Sequence, residues 1–201
     1  MNSIVISGQV EDDPVFSHEF LGEKFYRFHI NSKRNSGTYD ILPVIVSDVF
    51  VGRIKKNEYI EIEGSIRTKN IHTGTKTIVD IFVFANRVLD YVAEINEANI
   101  EGFICKPPTF RETPFGRMIS DLHIASNRRI GKSDYIPCIA WGRNAVRASA
   151  AEVGAKLYTK GRLQSREYTK KRDDGTEEKR TAYEVSLIYF ELEGNKHECE
   201  N

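Results

Sequence analysis

Asp134-Tyr135-Ile136-Pro137-Cys138-Ile139-Ala140 has an earlier counterpart in the chain, Asp40-Ile41-Leu42-Pro43-Val44-Ile45-Val46. The two stretches lie 94 residues apart. The same offset relates Phe28-His29-Ile30-Asn31-Ser32-Lys33-Arg34 to Leu122-His123-Ile124-Ala125-Ser126-Asn127-Arg128, and Gly8 to Gly102. Gly64 and Gly161 lie 97 apart, so about three residues are inserted in the second copy after its third strand. A fixed offset over most of a chain means one folding unit used twice. The expected domains are 1–93 and 98–192, joined where Glu94, Asn96, Glu97 and Asn99 break the apolar pattern.

Each copy reads as five strands rich in Ile, Val, Phe and Tyr, with stretches of period-two alternation. They fall at 4–10, 24–31, 39–46, 59–68 and 76–88, then at 100–105, 117–127, 134–141, 156–168 and 181–190. Turn signals such as Asp13-Pro14, Leu21-Gly22, Thr73-Gly74 and Asp174-Gly175 separate them. In copy two, the Ala-rich stretch 144–153 predicts a short helix between strands three and four, with Asn144 as its N-cap. The pattern predicts an all-β chain of two tandem five-stranded OB-fold Greek-key barrels, with a β-sandwich as the alternative. Pro43 and Pro137 lie inside third strands and imply an edge or a bulge, because proline cannot donate to a ladder.

The 201 residues carry 29 basic and 29 acidic side chains. That neutrality hides an uneven distribution. Residues 1–95 hold 11 basic and 13 acidic groups, residues 96–190 hold 17 and 12, and residues 191–201 hold one and four. No apolar run reaches the roughly 18 residues of a membrane helix, and the first residues lack a signal-peptide pattern. Cys105, Cys138 and Cys199 form no even disulfide set, so a reducing cytoplasm is expected.

From Gly102 to about Glu191 the chain resembles the bacterial single-stranded DNA-binding (SSB) proteins. The resemblance rests on Pro108-x-x-Arg111, Thr113-Pro114-x-Gly116, Asn127-Arg128-Arg129, Asp134 through Gly142, and Gly161-Arg162-Leu163-Gln164-Ser165-Arg166-x-Tyr168. The two-barrel layout resembles SSB proteins that place two OB domains in one chain. The resemblance implies sequence-independent binding of single-stranded DNA in replication, recombination or repair, with no enzymatic activity and a nucleoid-associated location. It places Tyr135, Trp141 and Tyr168 where the family stacks bases. Four OB domains make the usual family assembly, so two per chain imply a homodimer.

The residues themselves suit that role. Single-strand binding needs aromatic faces for bases and a cationic groove for phosphates. Strand parity puts Tyr135, Ile139 and Trp141 on one outward face. It puts Tyr158, Lys160, Arg162, Gln164, Arg166 and Tyr168 on another. Arg128, Arg129 and Lys132 lie at one hairpin tip, Lys170 and Lys171 near a second, and Arg143 just after Trp141. Copy one has Ile41, Ser47 and Ile71 where copy two has the three aromatics, and keeps only Arg67 and Lys69 of the basic row. It reads as degenerate, with Tyr26, Arg27, Arg34 and Tyr39 as remaining candidates for DNA contact.

Other readings stay open. Outward aromatics also suit a protein interface, so a primosome-accessory or docking module is one alternative. An RNA-binding barrel is a second, and an enzyme acting on single strands is a third. The family's acidic Pro-Phe tip, which recruits replication and repair enzymes, is absent from Glu191–Asn201. Gly131-Lys132-Ser133 lacks the earlier glycine of a P-loop. His29 and His123 read as surface histidines, and His197-x-Cys199 lacks the further ligands zinc needs. No metal, cofactor or catalytic set is expected.

Overall fold

The computed structural model describes residues 1–74, 76–113, 115–128, 131–171 and 175–193. The first half runs β1 (Asn2–Val10), β2 (Val15–Phe20), β3 (Glu23–Lys33), β4 (Tyr39–Ser47), α1 (Asp48–Val51), β5 (Tyr59–Thr73) and β6 (Lys76–Asp90). The second runs β7 (Asn96–Ile104), β8 (Thr109–Glu112), β9 (Met118–Asn127), β10 (Ser133–Trp141), α2 (Arg143–Ser149), β11 (Lys156–Lys171) and β12 (Glu177–Glu193). The chain is all-β, as its pattern predicts.

Within each half the pairings run round five strands. In the first, β1 pairs with β3, β3 with β4, β4 with β6, β6 with β5, and β5 with β1. The second repeats this order with β7, β9, β10, β12 and β11. This is the OB arrangement, with one parallel ladder in each barrel. Pro43 and Pro137 each sit one residue before that ladder begins, at Val44↔Val83 and Cys138↔Val185. The missing N–H therefore costs no bond to β6 or β12.

Three details differ from the sequence expectation. Strands β2 and β8 are additional, each paired only along the outer side of its neighbour. Helix α2 is shorter than 144–153 and starts at Arg143, with Gly142 at the N-cap position in a positive-φ conformation (56°). Asn144 is not its cap: its side-chain amide donates to the Ile188 carbonyl at 3.1 Å. Copy one also carries a single helical turn, α1, at the equivalent place.

The repeat-related glycines mark the tightest approaches between strands. A Cβ on Gly161 would stand 2.5 Å from the Ser186 carbonyl oxygen, and one on Gly64 would meet the Phe84 carbonyl as closely. Both sit where the long hairpins shift register, between Lys160 and Gly161 and between Glu63 and Gly64. Gly161→Ala is therefore expected to cost about 1–3 kcal/mol, because backbone must move. Gly52→Ala, with open space around it and an ordinary φ of −63°, should be neutral. Paired thermal melts would check this, at roughly 2–4 °C per kcal/mol for a chain of this size.

Strand β1 also pairs with β7, antiparallel, from Asn2↔Ile100 to Ile6↔Asn96. This joins the barrels into one ladder of 12 strands. Ile4 pairs with Ala98, which is its own repeat equivalent. A pseudo-twofold axis therefore passes through that pair. Side chains from both halves, including Phe28, Ile62, Leu122 and Phe190, form one continuous buried cluster.

Candidate nucleic-acid interface

Strand β10 carries two of the expected aromatics. Tyr135 is 53% exposed and Trp141 39%. Alternation puts Ile139 on their face, but Ile139 is buried, opposite Asp121 and Ser186. It is not part of an open platform. Asp121 itself holds Arg111 of β8 at 2.8 Å. The two rings are thus separate islands rather than one strip.

Strand β11 departs more from expectation. Leu157, Thr159, Gly161 and Leu163 are buried, as the inward parity requires. The outward row is largely committed to protein partners. Lys160 pairs with Glu97 at 2.8 Å, Arg162 with Asp40 at 2.6 Å, and the Gln164 amide donates to Glu184 at 3.0 Å. Arg166 approaches the same Glu184 at 3.6 Å and lies 5.8 Å from the ring centre of Tyr168. Tyr168 keeps an exposed face.

Arg128 is likewise not a free hairpin cation. It forks onto Asp134 at 2.5 and 2.8 Å and donates to the Thr68 carbonyl at 3.2 Å. Lys132 and Arg143 are exposed and have no ion-pair partner among the described residues. Arg129 lies outside the described residues, as do the side chains of Lys170 and Lys171, whose backbones pair with Glu178 and Glu177.

These committed arginines build a seam between the barrels. Asp134, fully buried, accepts bonds from Arg128, from Arg67 at 3.0 Å and from the Thr68 backbone at 2.7 Å. Across the pseudo-twofold axis, buried Asp40 accepts from Arg34, from Arg162 and from the Ser165 backbone at 2.7 Å. Each aspartate holds one arginine of its own barrel and one of the other. Burial works against the Asp134 carboxylate, but the bonds from Arg128, Thr68 and Arg67 outweigh it and hold the group below the usual carboxylate range. Burial and neighbouring Arg34 also lower the pKa of Arg162, below the ordinary guanidinium value, which in a base disfavours the charge.

On the first barrel, Ile41 and Ile71 are exposed where the second has tyrosines. Of the four other candidates, Arg27 is held bidentate by Asp80 at 2.7 and 2.9 Å, and Arg34 belongs to the seam. Tyr26 packs on the core, and Tyr39 is exposed. Aromatics reach this barrel's outer face from other strands. Phe25, Ile45 and Phe82 form a small cluster with Phe84, and His18 stacks on Phe25 at 5.0 Å. Phe82-Val83-Phe84 alternation could have flagged this set. Comparing only equivalent repeat positions misses it.

His29 is half-buried and bonded to Asp12 at 2.7 Å, and burial lowers the pKa of His123. Neither is the free surface histidine that alternation predicts. Among the described residues, no group of His, Cys, Asp and Glu is placed to hold a metal ion. Burial pushes the Cys138 thiol far up, away from reactivity. No described helix is long and apolar enough to cross a membrane.

A sequence model of the Single-strand binding protein family matches residues 95–192. A deletion mutant of the single-stranded DNA binding protein from Thermus aquaticus superposes with a TM-score of 0.76 at 17% identity, covering 100% of this chain and 98% of that one. The wild-type Thermus aquaticus protein gives 0.76 at 18% identity, covering 96% and 92%. At such identity these likenesses establish the shared two-barrel fold. No curated protein sequence matches significantly. Residues 95–192, the second barrel, thus match the Single-strand binding protein family model, and the chain as a whole shares the tandem OB fold of the Thermus aquaticus structures.

Proposed function

We propose that the chain binds single-stranded DNA without sequence preference and performs no chemistry on it. The observation that carries this reading is the exposed Tyr135 and Trp141 on a barrel that matches the Single-strand binding protein family model. Bases stack on the two rings and on Tyr168. Lys132 and Arg143, the exposed cations beside them, take phosphates. Stacking tolerates every base, so affinity follows strand length and salt rather than sequence. The reading goes with a cytoplasmic, nucleoid-associated protein acting in replication, recombination or repair. It also goes with a homodimer that brings four barrels together.

Trp141 is the only tryptophan of the chain. Titration with oligo(dT) should quench its fluorescence. Log K should fall with log salt by roughly 0.7 for each phosphate neutralised. Unchanged fluorescence, together with no change in anisotropy of a labelled oligonucleotide, would overturn the reading. The aromatics would then form a protein-docking surface.

A further inference from the structure

The repeat makes two seams, one on each side of the pseudo-twofold axis. At one, Thr68 receives a bond from the Tyr135 backbone N–H at 2.9 Å, so the stacking island of barrel two touches the β5 hairpin of barrel one. At the other, Ser165 stands against β4 beside Ile41, the repeat equivalents of Thr68 and Tyr135. Both seams open onto a groove, and the two grooves differ in charge.

The Thr68 groove has a volume of about 880 Å³. Five cationic side chains line it against one carboxylate, Asp80. Three of the cations are arginines already held by aspartates, but Lys69 and Lys132 are exposed and have no ion-pair partner among the described residues. His18, Phe20 and Phe84 line it too, and Phe20 is 64% exposed. The Ser165 groove is about half as large, at about 470 Å³. Glu11, Asp12 and Glu167 line it, with no lysine or arginine. A phosphate chain is attracted to the first and repelled by the second.

We propose that a bound strand crosses between the barrels at one seam only. It passes from Tyr135 over Thr68 into the first-barrel groove, with phosphates on Lys69 and Lys132 and bases against His18, Phe84 and Phe20. The acidic seam carries no DNA. Fold symmetry thus gives two equivalent routes, and charge selects one. This inference rests on the single-strand reading above.

The test compares Lys69→Ala/Lys132→Ala with Glu167→Gln, using oligo(dT) of about 8 and about 30 nucleotides. One barrel covers roughly 4–16 nucleotides, so the longer strand reaches across both barrels far more fully than the shorter one. Binding is followed by Trp141 quenching across a salt series. The double lysine variant should lower the salt slope for the long strand by about 1.4, two phosphates at roughly 0.7 each. That corresponds to roughly a 25-fold loss of affinity at 0.1 M salt relative to 1 M. The loss for the short strand should be smaller, and Glu167→Gln should leave both slopes unchanged. An unaltered long-strand slope in the double variant, with wild-type quenching intact, would overturn the one-seam route and leave the single-strand reading standing. So would a Glu167→Gln effect as large as that of the lysines. Absence of quenching and of binding in the wild-type chain would instead remove the functional reading on which the route depends.

Discussion

Asp134→Ala is expected to destabilise the chain by about 3–5 kcal/mol. The substitution leaves Arg128 and Arg67 at the seam with no counter-charge, and breaking a buried ion pair by removing one partner carries a cost of that order. For a chain of this size the melting temperature should fall by roughly 6–20 °C. Asp121→Ala is the matched control. It removes a carboxylate that holds an arginine, Arg111, in similar geometry but at a partly exposed position, where such pairs contribute about 1 kcal/mol or less. Differential scanning calorimetry of the two variants separates the cases, and equal melting temperatures would remove the seam from its structural role. The acid response follows from the depressed pKa of Asp134. A carboxyl lowered on folding stabilises the protein fully above its unfolded value, about 3.9. That contribution is lost only as pH falls through the lower folded value. The gap between wild type and Asp134→Ala should therefore stay constant from neutral pH to about 5, then narrow in stronger acid.

Trp141→Ala and Tyr135→Ala should each weaken oligo(dT) binding by about 1–3 kcal/mol, roughly 5- to 150-fold, without lowering the melting temperature by more than a few degrees. Both rings are substantially exposed, so little core is lost. Anisotropy of a labelled strand is the appropriate readout, since Trp141→Ala removes the intrinsic probe. Trp141→Phe should retain much of the affinity because it keeps an aromatic face. Arg162→Ala should show the opposite pattern. Its guanidinium faces Asp40 across the seam, so the melting temperature should fall while the remaining folded protein binds nearly as well. Variants of Trp141 and Tyr135 that both bind like the wild type would turn their face into a protein interface.

The fold was legible because the repeat is. One offset aligns strands, prolines and glycines, and a barrel rebuilt twice leaves few alternatives. The two outer strands escaped notice because β2 and β8 are exposed and show no buried alternation, although Asp13-Pro14 and Leu21-Gly22 bracket the first. The site was less legible, for a different reason. Parity along β11 separates inward from outward residues as far as Leu163, but fails at Gln164, which is buried on the outward side. It cannot tell that Arg162 meets an aspartate 122 positions away, or that Arg128 meets a backbone carbonyl 60 positions away. An outward cation at a domain boundary is as available to a carboxylate as to a phosphate, and only the three-dimensional pairing decides which one it meets.

The unequal pair at the pseudo-twofold axis, Ile4 beside Ala98, carries a consequence for how such a protein can diverge. In a true dimer of identical subunits, any residue on the axis faces its own copy. Isoleucine would crowd isoleucine, and alanine would leave a void beside alanine. Tethering the halves in one chain removes that constraint, and a large side chain can nest against a small one. The same freedom extends outward from the axis. One half can keep a tyrosine and a tryptophan on its third strand where the other carries Ile41 and Ser47, and one seam can turn acidic while its mirror stays basic, because no substitution is any longer made twice.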